Sequence, residues 1–217
     1  MKPVFILLAL MLVLVVSRRG YAVNVEPADT SAAQGWVANA IEKAPMGPFS
    51  FVYDGKPVLE LVSTWAVKRE STSSGFSVTW TCPTTGLEAR FEGVTYSDFP
   101  AVEWVLYLKN TGTADSPIIE GIQALDAVFP TPDGDPTLHY AKGATCSMED
   151  YRPMKRILNK TGRTHLQPNG GRSSSDFMPF FNLEREPNKG VVIGIGWSGE
   201  WAADFERDEK GEGVRVR

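Results

Sequence analysis

Alternation of apolar and polar residues runs through most of the chain after residue 49, and it constrains the fold more than any other feature. In GFSVTWTC, residues 75–82, and in LEARFE, residues 87–92, every second residue is apolar. VEWVLYLKNTG, residues 102–112, carries a similar pattern. Because successive side chains of a strand point to opposite faces, each segment predicts a strand with one buried face. The intervening PTTG predicts the turn of a hairpin.

Further strand candidates are separated by Pro, Gly and Asn. They are PVLELVSTWAVK (57–68), SPIIEGIQALDAVF (116–129), FMPFFNLE (177–184) and GVVIGIGW (190–197). Regularly spaced strands without alternating helices indicate an all-β, antiparallel sandwich, here one domain over 49–217. The stretch from Pro130 to about Ser175 shows no clear period and is rich in turn residues. We expect it to form loops that reach out from the sandwich.

The first 22 residues form a separate segment. Lys2 precedes a run of 14 apolar residues, PVFILLALMLVLVV, and small residues follow at Gly20 and Ala22. This pattern predicts a cleaved secretory signal over 1–22 and a secreted or periplasmic protein, with an uncleaved anchor as the alternative because Arg18 and Arg19 are unusual before a cut. The run is shorter than the roughly 18 to 20 residues that span a bilayer, so no membrane association is expected after cleavage.

One short helix is expected in the N-terminal extension, residues 23–48. The apolar residues that recur at helical spacing are Trp36 or Val37, Ala40, Ile41 and Ala44. Thr30 or Ser31 is a possible cap, and Pro45 and Gly47 would end the helix.

Charge and cysteine content exclude some functions and leave others open. The net charge of −4 and the lack of a basic stripe argue against a nucleic-acid partner. Two histidines without a ligand motif do not predict a metal site. In an oxidising compartment Cys82 and Cys146 could form a disulfide, but two unpaired thiols are equally compatible with the sequence.

The stretch GIGWSGEW, residues 194–201, partly matches two known motifs, a dinucleotide-binding loop and the nucleophile elbow of a serine hydrolase. Its G-x-G-x-x-G spacing is that of a dinucleotide loop, but the 18 residues after Gly199 cannot supply a second parallel strand with an acidic residue. As a serine-hydrolase elbow it carries Glu200 where glycine is needed. Both histidines also precede Ser198, whereas the base normally follows the nucleophile.

Carboxylate pairs could in principle perform glycoside chemistry. The nearest candidates in sequence are Asp176, Glu200, Asp204 and Glu206. Charges on the polar side of EWAADFERD are more typical of a solvated face. Trp197 and Trp201 flank a polar turn, an arrangement that suits stacking on a pyranose, although either ring could equally be core.

Three segments resemble the N-terminal β-supersandwich domain of glycoside hydrolase family 36, the α-galactosidases. They are LHYAKG from Leu138, GGRSSSDFMPFFNLE from Gly170, and GVVIGIGWSGEWAADFERD from Gly190. The resemblance implies a non-catalytic sandwich that packs on a downstream (β/α)₈ barrel bearing two catalytic aspartates. The K-W-D type motif of that barrel is absent from this sequence, which therefore looks like the front part of such an enzyme.

The resemblance also implies site residues and partners. It predicts no metal or organic cofactor, a galactose-containing saccharide as ligand, and the chain's own barrel as partner, with self-association left open. Carried over by position, the residues expected at the rim of the sugar site are Trp197, Ser198 and Trp201, then Arg172, Ser173, Ser174 and Asp176. The alternative is a free-standing carbohydrate-binding or structural module. A complete small enzyme would depend on the carboxylates discounted above.

Overall fold

The computed structural model describes residues 25–71, 75–131, 134–159, 162–187, 189–208 and 210–217. Residues 1–22, expected to be a signal, lie outside the described residues. None of the helices in the described ranges has the length and apolar character needed to cross a membrane.

Two short helical segments precede the strands. Helix α1, Pro27–Val37, begins after Glu26 with Pro27 in its first turn, where the fixed φ of proline favours a helix. It runs into a π-helical turn, Ala38–Glu42, in which Lys43 N donates to Ala38 O at 3.0 Å. The helix is therefore confirmed, but a cap at Thr30 or Ser31 is wrong, because both residues lie inside it.

A second helix replaces a predicted strand. Helix α2, Val58–Leu61, leads into a 3₁₀ turn, Val62–Thr64. Val58 and Val62 are both buried. Four residues apart, they share one face of a helix, whereas in a strand the intervening Glu60 would point to the same side as both.

The described part of the chain contains fifteen strands, all paired antiparallel. They are β1 Ser50–Tyr53, β2 Lys56–Pro57, β3 Ala66–Ser71, β4 Gly75–Thr81, β5 Leu87–Thr95, β6 Val102–Asn110, β7 Ile119–Gln123, β8 Ala127–Pro130, β9 Thr137–Ala141, β10 Pro153–Ile157, β11 Arg163–Leu166, β12 Phe180–Glu186, β13 Lys189–Gly194, β14 Ala203–Arg207 and β15 Gly213–Val216. They form sheets ordered β2-β1-β7, β3-β4-β5-β6, β10-β9-β12-β13 and β11-β14-β15-β8. The predicted all-β antiparallel sandwich with a short N-terminal helix is confirmed.

The alternation in β4, β5 and β6 is confirmed by burial. The inward positions include Val78, Trp80, Leu87, Ala89 and Phe91, all buried. The hairpin between β4 and β5 turns at Gly86, where φ is +75° and a Cβ would lie 2.6 Å from Gly112 N. Only glycine combines that backbone conformation with so close an approach.

The sheets enclose two hydrophobic cores. The first core lies among the helices, β1, β4 and β5, and Phe49 at its centre packs against the rings of Phe51, Trp80 and Phe91. The second core lies between the β10-β9-β12-β13 and β11-β14-β15-β8 sheets. Trp36 of α1 packs against both cores, with its ring centroid 5.8 Å from that of Trp104 and 6.2 Å from that of Phe129.

The segment from Pro130 to Ser175 is not only loops, and that prediction is wrong. It contains β9, β10 and β11. β10 carries mostly exposed residues at a sheet edge, so its sequence PMKRI lacks the apolar alternation of a half-buried strand. In β9 only Leu138 is fully buried. Such strands are held by backbone pairing that a hydrophobic pattern does not reveal.

Candidate functional site

The stretch GIGWSGEW leaves an antiparallel strand and leads into another. β13, which ends at Gly194, pairs with β12, and the next element is the antiparallel strand β14. A dinucleotide loop would require a helix after the strand and a parallel neighbour. The turn between β13 and β14 therefore lacks the strand-loop-helix arrangement of a dinucleotide loop. Gly194 serves packing instead, since a Cβ there would approach the ring of Phe180 to 3.3 Å.

Trp197 is the exposed aromatic residue of this turn. Its relative exposure is 67%, and Ser198 beside it is also exposed. The indole folds back over Gly199, where an added Cβ would lie 2.6 Å from Trp197 Nε1. Gly196 has no such role, because a Cβ there would meet no atom within 4 Å. The turn thus presents a large apolar ring to solvent in a defined orientation.

Trp201 has the opposite environment. It is buried, and its ring lies edge-on to Phe181 with centroids 5.5 Å apart in the second core. Its Nε1 donates a hydrogen bond of 2.7 Å to Ser173 O. The expectation that both tryptophans present their rings at the surface is wrong for Trp201, which instead anchors the turn to the loop around Ser173.

The loop of residues 169–176 lies against the same turn, so the structure brings together two segments that are some 25 residues apart in sequence. Asp176 Oδ2 accepts a hydrogen bond of 2.6 Å from Asn169 N, and Asp176 O accepts one of 2.8 Å from Gly143 N. Ser174 O accepts another of 2.7 Å from Ala144 N. These contacts hold the loop on residues 143–144.

Arg172 belongs to the same loop and forms no ion pair with any residue that the structure describes. Its NH2 group donates to Ala144 O at 3.5 Å, and its backbone O accepts from Ser175 Oγ at 3.3 Å. Arg172 is exposed, whereas Ser173 and Ser174 are half-buried. The predicted rim residues therefore separate into three groups: Trp197, Ser198 and Arg172 are exposed, Ser173, Ser174 and Asp176 are half-buried, and Trp201 is buried.

A chain of hydrogen-bonded polar side chains adjoins the turn on the face of β11 and β14. Gln167 Nε2 donates to Glu200 Oε1 at 3.3 Å, and Gln167 Oε1 lies 3.3 Å from His165 Nε2. His165 Nδ1 in turn lies 2.8 Å from Asp204 Oδ1. Arg163 donates to both oxygens of Asp204 at 3.0 and 2.9 Å. Sequence reasoning treated His165 as an ordinary polar residue and gave Gln167 no role.

Asp204 lies in the middle of this hydrogen-bond network and pairs with both Arg163 and His165. Burial alone raises the pKa of its carboxyl, but the hydrogen bonds and charges of Arg163 and His165 outweigh burial and hold that pKa below its usual value. Asp204 therefore stays ionised at neutral pH and is committed to Arg163 and His165. This commitment makes it a poor proton donor for glycoside cleavage.

Within the described residues, no three His, Cys, Asp or Glu side chains are grouped closely enough to hold a metal ion. The two cysteines are not paired in this structure. Cys82 is buried in the first core, Cys146 is exposed beyond β9, and both thiols are free. The possible disulfide between them is thus absent, and the alternative of two unpaired thiols describes this structure.

The protein belongs to the class of antiparallel β-sandwiches, with two hydrophobic cores. Beside its second core, the polar turn after β13 exposes Trp197. No protein-family profile matches the chain, and no curated protein matches it. Among solved structures, it is similar to a GH36 α-galactosidase from Geobacillus stearothermophilus in complex with raffinose. The TM-score is 0.52 at 16% sequence identity, over 78% of this chain and 26% of that enzyme.

At 16% sequence identity, this similarity shows that the two folds are alike and nothing further. The chain spans about a quarter of the length of the enzyme it matches. The structure is therefore that of an antiparallel sandwich like one part of a GH36 α-galactosidase.

Proposed function

We propose that the chain is the N-terminal, non-catalytic sandwich of a secreted α-galactosidase-like glycoside hydrolase. In this proposal it packs on a catalytic (β/α)₈ barrel and contributes residues to the rim of a galactoside site. Secretion is inferred from the signal-like segment at residues 1–22, and the barrel and the sugar from the resemblance to family 36. The solved enzyme's raffinose complex supports a carbohydrate as the ligand class.

The observation that carries the proposal is the exposed ring of Trp197, held over Gly199 at the end of the second core. Tryptophan is enriched at binding surfaces, because its rigid ring offers a large apolar face together with a polar N–H group. Ser198 and Glu200 are exposed on the same turn, and Trp201 ties that turn to the 169–176 loop, so polar groups are available near it. An apolar face with hydrogen-bonding groups around it suits a pyranose, whose C–H groups stack on rings while its hydroxyls bond to polar atoms.

The same exposure favours one second candidate, a free-standing carbohydrate-binding module. Such a module would use Trp197 as its sugar platform without any barrel. The two candidates predict different DNA downstream of codon 217 in the gene. An open frame of several hundred codons with a K-W-D type motif supports the enzyme domain, and a stop codon directly after Arg217 contradicts it.

Binding is tested on the purified chain by isothermal titration calorimetry with galactose and with raffinose. We expect heat with at least one sugar, and we expect Trp197→Ala to abolish it. Tyr107→Ala is the matched control, because Tyr107 is an exposed aromatic residue on β6, outside the second core. Absence of heat with both sugars would contradict a sugar-binding rim in either candidate.

A further inference from the structure

We propose that Glu200 and Gln167 form the polar half of the sugar site, and that they bind a pair of neighbouring hydroxyl groups on the pyranose that stacks on Trp197. The inference rests on the proposed function, because it takes Trp197 as the stacking platform. It replaces the polar groups expected from sequence, Arg172 to Asp176, with two residues on the other side of the turn.

A sugar ring stacked on tryptophan still needs fixed polar partners for its hydroxyls. Neighbouring hydroxyls can donate to the two oxygens of one carboxylate, and an adjacent amide supplies both a donor and an acceptor. Hydrogen bonds to a charged group are stronger than those between neutral groups. An exposed carboxylate with an oriented amide beside the ring is therefore the arrangement to look for.

The polar groups of the 169–176 loop are largely used inside the loop. Asp176 accepts from Asn169 N through its carboxylate. Arg172 reaches Ala144 O, and the carbonyls of Ser173 and Ser174 accept from Trp201 and Ala144 N. These contacts fix the loop, and a sugar that bonded to Asp176 would compete with the Asn169 contact.

Glu200 and Gln167 both retain hydrogen-bonding groups that no described residue uses. Both are exposed, and in the described part of the chain Glu200 has the single hydrogen bond from Gln167, at 3.3 Å. One carboxylate oxygen thus retains both of its acceptor sites, and the amide of Gln167 retains one N–H. Glu200 also lies three residues after Trp197 on the same turn, whose far end is anchored by Trp201.

His165 is the positioning residue for this pair. Its Nδ1 is bonded to Asp204, which Arg163 holds by two further bonds, so the imidazole ring is fixed. When both ring nitrogens carry a proton, Nδ1 donates to Asp204 Oδ1 and Nε2 donates to Gln167 Oε1, and the amide nitrogen of Gln167 then points to Glu200, as observed. The chain from Arg163 to Glu200 therefore sets which side of the amide faces a ligand.

The test is calorimetry on the purified full chain with galactose, raffinose and a series of singly deoxygenated galactoses. We expect Glu200→Gln to weaken binding about tenfold, corresponding to the loss of one charge-assisted hydrogen bond. Gln167→Ala should weaken it severalfold. His165→Ala should do the same, and His165→Gln, which restores a donor toward Gln167, should recover part of the affinity. Glu60→Gln makes the same chemical change on exposed α2 and should leave binding unaltered.

The deoxygenated sugars identify the contact directly. Removing the hydroxyl that Glu200 binds should weaken binding to the wild-type chain about tenfold and cause no further loss in Glu200→Gln. If Trp197→Ala abolishes binding while Glu200→Gln and Gln167→Ala bind like the wild type, this inference is overturned and the proposed function stands. If the wild-type chain binds none of the sugars, the proposed rim fails and the inference fails with it.

Discussion

Asp126 and Arg215 form a bidentate ion pair between the regions of the two hydrophobic cores. Arg215 Nε lies 2.7 Å from Asp126 Oδ1, and its NH2 group lies 2.8 Å from Asp126 Oδ2. Ser50 Oγ also donates to Asp126 Oδ2 at 2.6 Å. Ser50 belongs to β1, beside the first core, and Arg215 to β15 of a sheet that covers the second. One carboxylate thus links the sheets that enclose the two cores.

Asp126→Asn should lower the free energy of unfolding by about 2 kcal/mol, because the amide replaces one acceptor oxygen with a donor and leaves Arg215 and Ser50 poorly paired. Only 8% of the Asp126 side chain is exposed, so water cannot fully compensate. Denaturation in urea measures the change. Asp115→Asn, at an exposed position, should shift the midpoint little, and an equal shift in both variants would contradict a linking role for Asp126.

Acid should destabilise the protein through the same carboxylate. Burial by itself raises the pKa of Asp126, but hydrogen bonds from Arg215 and Ser50 outweigh burial and hold that pKa below its usual value. The pKa of Asp204 is lowered similarly. Carboxyls whose folded pKa is lowered stabilise the fold fully above the unfolded pKa of about 3.9, and that stabilisation is lost as the pH falls further.

We therefore expect the urea midpoint to be maintained from pH 7 to about pH 5 and to fall steeply below about pH 4. Asp126→Asn should show a shallower decline over the same range. A wild-type midpoint that stayed level down to pH 3 would count against lowered pKa values at both residues.

Trp36 makes the second link between the cores. Trp36→Ala should lower the free energy of unfolding by about 3 kcal/mol, since the ring stacks on Trp104 on one side and Phe129 on the other. Thermal unfolding followed by circular dichroism measures the loss. Gln34→Ala, an exposed change on the same helix, is the control and should be nearly neutral. If the two variants melted alike, Trp36 would not couple the cores.

The sequence predicted well those elements whose stability comes from apolar burial. β4 and β5 bury alternate residues and β6 half-buries them, and this alternation can be read from the sequence because one face of each strand meets the core. Strands β10 and β11 were missed, because edge strands with polar side chains such as Lys155 and Arg163 are held by backbone hydrogen bonds that any residue can make. Helix α2 was missed because VLELV satisfies either period over so short a length.

Residues of the GIGWSGEW turn and of the 169–176 loop were expected from sequence at one site, and in the structure the two segments do meet. Their individual contacts were not predictable. Trp197 and Trp201 look alike in sequence, and only the tertiary contact with Phe181 and Ser173 decides that Trp201 is buried. The pairing of Gln167 with Glu200 joins residues 33 positions apart, a separation that no local pattern reveals.

Trp201→Phe tests the anchor between the turn and the loop. The ring is kept, so packing on Phe181 should survive, but the hydrogen bond to Ser173 O is lost and that carbonyl is left without its partner. We expect a loss of about 1 to 2 kcal/mol in the free energy of unfolding. Amide exchange measured by mass spectrometry should become faster in residues 169–176. Unchanged exchange there would contradict the anchoring role of the indole.

Gly199→Ala tests whether the orientation of Trp197 matters for its function. The new methyl group would lie 2.6 Å from Trp197 Nε1, so the exposed indole must rotate away from the turn. Because the ring is at the surface, we expect a stability change within about 0.5 kcal/mol, a shift in tryptophan fluorescence, and weaker binding of galactose or raffinose.

Gly196→Ala is the matched control, since a Cβ at that position meets no atom within 4 Å. It adds the same methyl group to the same turn without touching Trp197. We expect its fluorescence and its sugar affinity to equal those of the wild-type chain. If Gly199→Ala bound sugar like the wild type although its fluorescence shifted, sugar binding would not depend on the orientation of the Trp197 ring.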